Sequence, residues 1–530
     1  MAITSKELGQ LLWKIANKQR GTMSASDYKD YILGFVFYKD ISEQMENMAN
    51  KVLENDNIKY IKLNEKEHKE YLNIIKEESL KQLGYFIPPY ALYSELLKSD
   101  EDIYTEKEPF ILEKLEKALK NIEKSTLGQT SEEDFMNLFE RLDLKNSNLG
   151  DTVEDKNRLV YQTMIEFKDI ELSGSDGDLL GDAYEYLISK FAASGGTNKA
   201  GEYYTPQPVS ELLVQLLTSS TTKKVKKIYD PTCGSGSLLL RFKRTLGYTP
   251  NFYGQELNGT TYNLARMNMI MHNVSFNKFD IKRGDTLETP KHINEKFDII
   301  GANPPYSAHW SANELFLQDE RFSQYTKLAP KTKADFAFLQ HMVYQLDDNG
   351  TMGVVLPHGV LFRGGAEGVI RKYLIEDKNY IDTIIGLPDN MFFGTSIATV
   401  IIIIKKCRKD DDNILFVDAS QEFIEIGNKN AINNTHIEKI LNTYKERKTI
   451  DKYSYSATLK EVEGNDYNLN ISRYVNIIEK EEIIDLSDIT TKLNNLDKEI
   501  NNNNLVIESF CKELDIISPI KIIKGDNENG

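Results

Sequence analysis

Apolar and polar positions follow three different rhythms along this chain. Up to about residue 165 the apolar positions recur every three or four residues. In "ILEKLEKALKNIEK", for example, Ile111, Leu112, Leu115, Leu119 and Ile122 share one helical face with charges opposite. That period belongs to amphipathic helices. Pro88 and Pro89 split the region into sub-bundles, because proline lacks the N–H that a helix interior needs. Residues 1–165 therefore read as a helical scaffold or docking domain.

A second rhythm fills residues 166–475. It opens with a Gly/Ser/Asp-rich linker, "ELSGSDGD", a helix, "LLGDAYEYLISKFA", and a flexible loop, "ASGGTNKAGEYYTP". Short apolar runs then alternate with helical segments: "KKIYD", "NFYGQEL", "KFDIKRGD", "KFDIIGANPP", "TMGVVLP", "YIDTIIGLP" and "ATVIIIIKK". Turn residues at the ends of such runs predict an α/β sheet wound from βα units. The third rhythm is the tail, 476–530. There Leu486, Ile489, Leu493, Leu496, Ile500, Ile507, Phe510 and Leu514 form an a/d seam flanked by polar residues. A helix with such a seam needs a partner, either the N-terminal bundle or another chain. The last stretch, "KGDNENG", is expected to be disordered.

A chain of 530 residues is long enough for two or three domains. No apolar run approaches the roughly 18–20 residues that span a bilayer, and the charged amphipathic N-terminus does not resemble a signal peptide. No membrane association is expected. Cys233, Cys407 and Cys511 lie far apart with no CxxC pair. This argues against a disulfide framework or a zinc site and for a reducing, cytoplasmic setting; no metal site is expected. The formal net charge of −16 changes the picture more. Nucleic-acid affinity comes mainly from Lys and Arg neutralising phosphates, so a DNA or RNA substrate would require a local basic groove or a partner subunit.

In wound α/β sheets ligands bind beyond the carboxyl ends of the strands, and the unusual residues of this chain fall there. "YDPTCGSGSLLLRF" reads as strand, acid, glycine turn and helix. Gly234 and Gly236 allow close backbone approach to a ligand, and the helix that follows offers free N–H groups. A dinucleotide fingerprint would need a third glycine where Leu239 stands, and no G-x-x-x-x-G-K-[ST] motif is present. Asp230, just before the turn, suits a ligand with positive charge. Glu256, at the end of the next strand, is placed to accept ribose hydroxyls. Asp285, at the end of the third, is placed to accept from an adenine amino group. Each acid alone would read as a helix cap or solvated turn; three at successive strand ends, with a glycine turn at the first, point to a nucleoside. Upstream, Thr205 is a candidate N-cap with Pro206 at the first helical position, and that helix terminus can hold a carboxylate.

The "GANPPYSAHW" stretch follows a strand-like run directly. Consecutive prolines there hold Asn303 and Tyr306 on a rigid turn. Together these segments resemble the S-adenosylmethionine-dependent amino-methyltransferases: "DPTCGSG" is similar to their cofactor loop and "NPPY" to their catalytic tetrapeptide. "GEYYTP" before the glycine loop matches the order of the γ class. The resemblance implies a doubly wound, mostly parallel sheet and S-adenosylmethionine as cofactor. It implies cofactor contacts from Glu202, Tyr203, Tyr204, Thr205, Pro206 and Gln207, from Asp230, Gly234, Ser235, Gly236 and Ser237, and from Glu256 and Asp285.

An adenine amino nitrogen is a poor nucleophile because its lone pair is delocalised into the ring. In the family reading, the Asn303 side-chain oxygen and the Pro304 carbonyl accept its two N–H bonds, and Pro305 keeps the turn rigid. The lone pair is then free for in-line attack, so positioning and polarisation carry the catalysis. Tyr306 would stack on a base swung out of the duplex. Phe392, in "LPDNMFFGTSI", is favoured over Phe393 for its other face, and Phe336 resembles a residue packing by the cofactor adenine; core packing is an equal reading for both Phe392 and Phe336. His309, His341 and His358 read as structural or surface residues.

NPPY also occurs in enzymes that methylate RNA or protein glutamine. The helical first domain, "GEYYTP", "LPHGVLFRGG", "LPDNMFFGTSI" and the helical tail together resemble the modification subunit of type I restriction-modification systems. That implies adenine-N6 methylation of double-stranded DNA, with a specificity subunit reading the sequence, a restriction subunit translocating and cleaving, and a second copy of this chain in the complex. The alternatives are a stand-alone methyltransferase acting on RNA or protein glutamine, and a non-catalytic scaffold of this fold.

Overall fold

Isoleucine and valine crowd the central strands because both faces of the sheet are covered, which leaves no polar alternation in "TVIIIIK". The computed structural model describes residues 4–19, 25–98, 109–170, 178–194, 205–219, 223–392, 395–409, 412–475 and 486–520. The linker, the 193–206 loop except its ends, and the last stretch of the tail lie outside these residues.

The seven runs are strands β1 (Lys227–Asp230), β2 (Asn251–Glu256), β3 (Phe279–Arg283), β4 (Phe297–Ala302), β5 (Leu346–Pro357), β6 (Ile381–Gly386) and β7 (Thr399–Lys405). Two further strands, β8 (Ile414–Asp418) and β11 (Ser454–Ala457), extend the sheet, and β9 (Ile424–Ile426) with β10 (Lys429–Ala431) makes a separate hairpin. The nine-stranded order is β11-β8-β6-β7-β5-β4-β1-β2-β3. Pairing is parallel throughout β5-β4-β1-β2-β3 and between β6 and β8; β7 runs antiparallel to β5 and β6, and β11 to β8.

Neighbouring residues on one strand feed opposite faces. Ile228, Ile299, Ile401, Ile403, Leu415 and Val417 join the core under helices Gln207–Ser219, Ser237–Leu246 and Asn434–Glu446. Tyr229, Ile300, Ile402, Ile404 and Phe416 join the opposite core, under Asp335–Gln345 and Gly365–Glu376. The sheet is thus doubly wound, as expected.

Before the sheet the described residues form helices joined by turns, including Ser5–Gln19, Ala25–Val52, Leu112–Ser125 and Val153–Lys168. Leu112, Leu115, Leu119 and Ile122 are buried on the expected face, and Pro89 opens a short 3-10 turn. This region packs on the α/β part through Arg266, which is 1% exposed. Its guanidinium donates to the carbonyls of Glu133 (2.8 Å), Asp134 (3.2 Å) and Met136 (3.0 Å). Residues 1–475 form one compact unit and 476–530 a second. In the second, the Leu486–Glu513 helix carries the heptad seam, with Leu493, Leu496 and Ile500 more than half exposed. Among the described residues no helix is long and apolar enough to cross a membrane.

Candidate active site

Four neighbouring parallel strands, β4, β1, β2 and β3, end in Asn303, Asp230, Glu256 and Asp285 or lead directly into them. The order of the sheet reverses between β1 and β4, so the crevice expected of a wound sheet opens there.

At the glycine turn, Gly234 has φ +55°, and a Cβ built on it would meet nothing within 4 Å. Its backbone therefore faces open space. Gly236 has φ +78° and caps the Ser237–Leu246 helix; a Cβ there would sit 3.1 Å from Met269 Cε. The turn is braced by Asn268, which donates to the Ser235 carbonyl (3.0 Å), and by a contact between the Ser235 and Ser237 hydroxyls (3.0 Å).

Glu256 accepts from Gly234 N (3.0 Å) and Asn258 N (2.7 Å), which ties the end of β2 to the glycine turn. Asp285 accepts from Leu287 N (2.9 Å) and Glu288 N (3.1 Å), both through Oδ1. Asp230 is 2% exposed and accepts from Thr232 N at 2.9 Å. Burial pushes its carboxyl up to about 7, against the Thr232 N–H, which favours the anion, and with the Glu256 charge adding to the rise. A cationic ligand would relieve this clustering of acids.

At the NPPY turn, Asn303 is 9% exposed and its amide is held at both ends. Nδ2 donates to Thr205 Oγ1 (2.9 Å), and Oδ1 accepts from the Tyr306 hydroxyl (2.7 Å). Thr205 thus spends its hydroxyl on the tetrapeptide rather than on the expected N-cap. The Pro206 carbonyl takes the first helical N–H groups instead, those of Val209 and Ser210, ahead of Gln207–Ser219. Pro304 is buried, Pro305 half-buried, and Ser307 follows at φ +49°. Ser307 N donates to Asp335 (2.8 Å), a fully buried carboxylate that pairs with Arg363 (3.1 Å). Arg363 also pairs with Glu367 at 3.1 Å. Neither Asp335 nor Arg363 emerged from sequence reasoning. Both lie in quoted segments, "KADFAFLQH" and "LPHGVLFRGG", but their pairing spans 28 positions.

Phe392 lies edge-on to Tyr306, with ring centroids 5.8 Å apart at 81°, and is 1% exposed. Phe336 is buried in the core of the second face. Glu202, Tyr203, Tyr204 and Phe393 lie outside the described residues. Buried His341 bridges the Tyr229 hydroxyl (3.2 Å) and Arg321 (3.3 Å), His309 is exposed and His358 half-buried. Away from the crevice, Asp182, Glu185 and His272 bring ligand-type atoms within 4.8 Å of one another. Arg244 already pairs with Asp182 there, and Arg241 and Lys243 line the same small cavity.

Residues 175–483 match the N-6 DNA methylase family, and residues 8–167 the HsdM N-terminal domain. The chain is 36% identical over 537 residues to the type I restriction enzyme MpnII methylase subunit of Mycoplasma pneumoniae, covering 96% of both chains. It is 32% identical to the MjaVII methylase subunit of Methanocaldococcus jannaschii, over 87% of this chain and 76% of that one. A type I restriction-modification methyltransferase subunit from Streptococcus thermophilus, solved by crystallography, shares 44% identity at a TM-score of 0.81, over 89% of this chain and all of its own.

Proposed function

The chain belongs to the N-6 DNA methylase family, as a methylase subunit of type I restriction-modification systems, and on that premise we propose how its residues carry the reaction. The protein is an adenine-specific DNA methyltransferase that uses S-adenosylmethionine. The open backbone at Gly234 and the three acids at adjacent strand ends fit that cofactor. Glu256 and Asp285 hold its ribose and adenine; Asp230, the 234–237 turn and the 202–207 segment hold the rest. When bound, the cofactor supplies an electrophilic methyl group on a sulfonium.

Asn303 Oδ1 and the Pro304 carbonyl accept the two N–H bonds of the target amino group, which pulls its lone pair out of the ring. An amide oxygen has two lone pairs, so the Tyr306 hydroxyl leaves one for the adenine. Tyr306 stacks on the extruded base; Phe392, buried and edge-on to the Tyr306 ring, backs that ring rather than covering the other face of the base as expected from the sequence. The observation that carries this reading is the Asn303 amide, clamped by Thr205 and Tyr306 one strand away from the glycine turn.

Subunits of this kind work in a complex with specificity and restriction subunits. We assign double-stranded DNA contact to that complex, with two copies of this chain in it, since a chain of net charge −16 grips phosphates poorly alone. The exposed seam of the tail helix is the surface offered to the specificity subunit's helices. The deciding experiment is transfer of labelled methyl to unmethylated DNA with and without the specificity subunit. N6-methyladenine formed only with the partner supports both the chemistry and the division of labour with the specificity subunit. Cofactor binding without any DNA methylation in the full complex would move the substrate to RNA or protein.

A further inference from the structure

We propose that the β9–β10 hairpin, through Lys429, is a positioning clamp for the loop that sets Phe392 against Tyr306. This rests on the reading that Tyr306 meets the target base. The three N–H bonds of one ammonium group are all used on that loop: Lys429 Nζ donates to Asn390 Oδ1 (2.9 Å), the Phe392 carbonyl (2.8 Å) and the Thr395 carbonyl (3.1 Å). The neighbouring residue repeats the grip. Asn430 Nδ2 donates to the Asp389 carbonyl and carboxylate, both at 3.0 Å, and Asn430 N to the Asn390 carbonyl (3.3 Å). Asn390 answers by donating from Nδ2 to the Asn428 carbonyl at 2.8 Å.

The hairpin has no evident role in the core. It stands outside the nine-stranded sheet, and Ile424 and Ile426 on β9 are 44% and 61% exposed. Its polar bonds instead converge on Asp389, Asn390, Phe392 and Thr395; the Phe392 ring touches Tyr306, whose hydroxyl in turn reaches Asn303. Lys429 therefore acts through Phe392 on the wall of the base pocket. Methionine there would match its length while leaving the Phe392 and Thr395 carbonyls without their donor.

The test compares K429M and K429R with the wild type. Hydrogen exchange is read on the full chain, and methyl transfer on the assembled complex. For K429M we expect faster exchange confined to 389–396, unchanged cofactor Kd, and a fall in kcat/KM for DNA of roughly tenfold to a hundredfold; K429R, which keeps a multidentate cation, should recover most of it. Unchanged exchange in 389–396, or faster exchange across the whole sheet, would overturn the clamp. A wild-type complex that does not methylate DNA would instead overturn the proposed function, and the exchange comparison would still judge the clamp.

Discussion

Asn303 Nδ2 donates to Thr205 Oγ1 at 2.9 Å, although the two residues stand 98 positions apart. A primary amide has one accepting and one donating end. The threonine oxygen takes the donating end and so turns the accepting end, Oδ1, toward Tyr306. Thr205→Val keeps the shape and removes the acceptor. Methyl transfer should fall roughly tenfold, the worth of one hydrogen bond, with Thr205→Ser close to wild type. Equal activity in the valine and serine variants, measured as initial rates, would remove Thr205 from the role of orienting the amide.

In the proposed mechanism, Asn303→Ala takes away the oxygen that polarises the target nitrogen. Labelled-methyl incorporation should be abolished while equilibrium binding of S-adenosylmethionine stays nearly intact. Full activity in this variant would sink the mechanism.

The two roles proposed for Tyr306 are separable. Tyr306→Phe loses the 2.7 Å bond to Asn303 but keeps a ring for stacking, so it should retain much of the transfer. Tyr306→Ala should lose about 1–3 kcal/mol through lost stacking. If the two variants were equally impaired, the hydroxyl rather than the ring would be the working part.

The raised carboxyl of Asp230 gives two pH dependences of known sign. Its ordinary value of 3.8 rises to about 7 in the fold, so the folded state holds a proton that the unfolded chain has released. Without cofactor its contribution to stability should decline as pH rises from the ordinary value toward the raised one. A cationic cofactor favours the anion, so affinity should grow with pH over the same interval, by at most about tenfold per unit. Calorimetric titrations of wild type and Asp230→Asn would show it: the slope should flatten in the variant.

Asp335 anchors the NPPY turn from beneath. Asp335→Ala would leave Ser307 N without its acceptor and deprive Arg363 of one of its two partners. We expect a loss of about 2–3 kcal/mol in denaturant unfolding, and a fall in transfer exceeding any change in cofactor affinity. A neutral result in both measurements would mean that the prolines hold the turn unaided.

The motifs that could be read from the chain are those whose geometry is local. The glycine turn and the NPPY turn each fix their own backbone within a few residues, and strands β1–β7 announce themselves as apolar runs. β11, "SYSA", carries too little apolar signal to be seen. Lys429 and Asp335 were invisible for a different reason. Their partners lie 28 to 39 positions away, and only the finished sheet brings them together. The expected N-cap at Thr205 failed the same way, when a distant amide won the competition for its hydroxyl.

The buried guanidinium of Arg266 has a consequence for modularity. It sits on the Gly259–Met271 helix, whose Asn268 and Met269 brace the glycine turn from behind, while its acceptors are the Glu133, Asp134 and Met136 carbonyls of the helical region. The scaffold is therefore not a detachable handle. Trimming it away would take three carbonyl acceptors from Arg266 and open to water the core that both regions share, so an isolated α/β part is a poor minimal enzyme and the two regions should melt in a single transition.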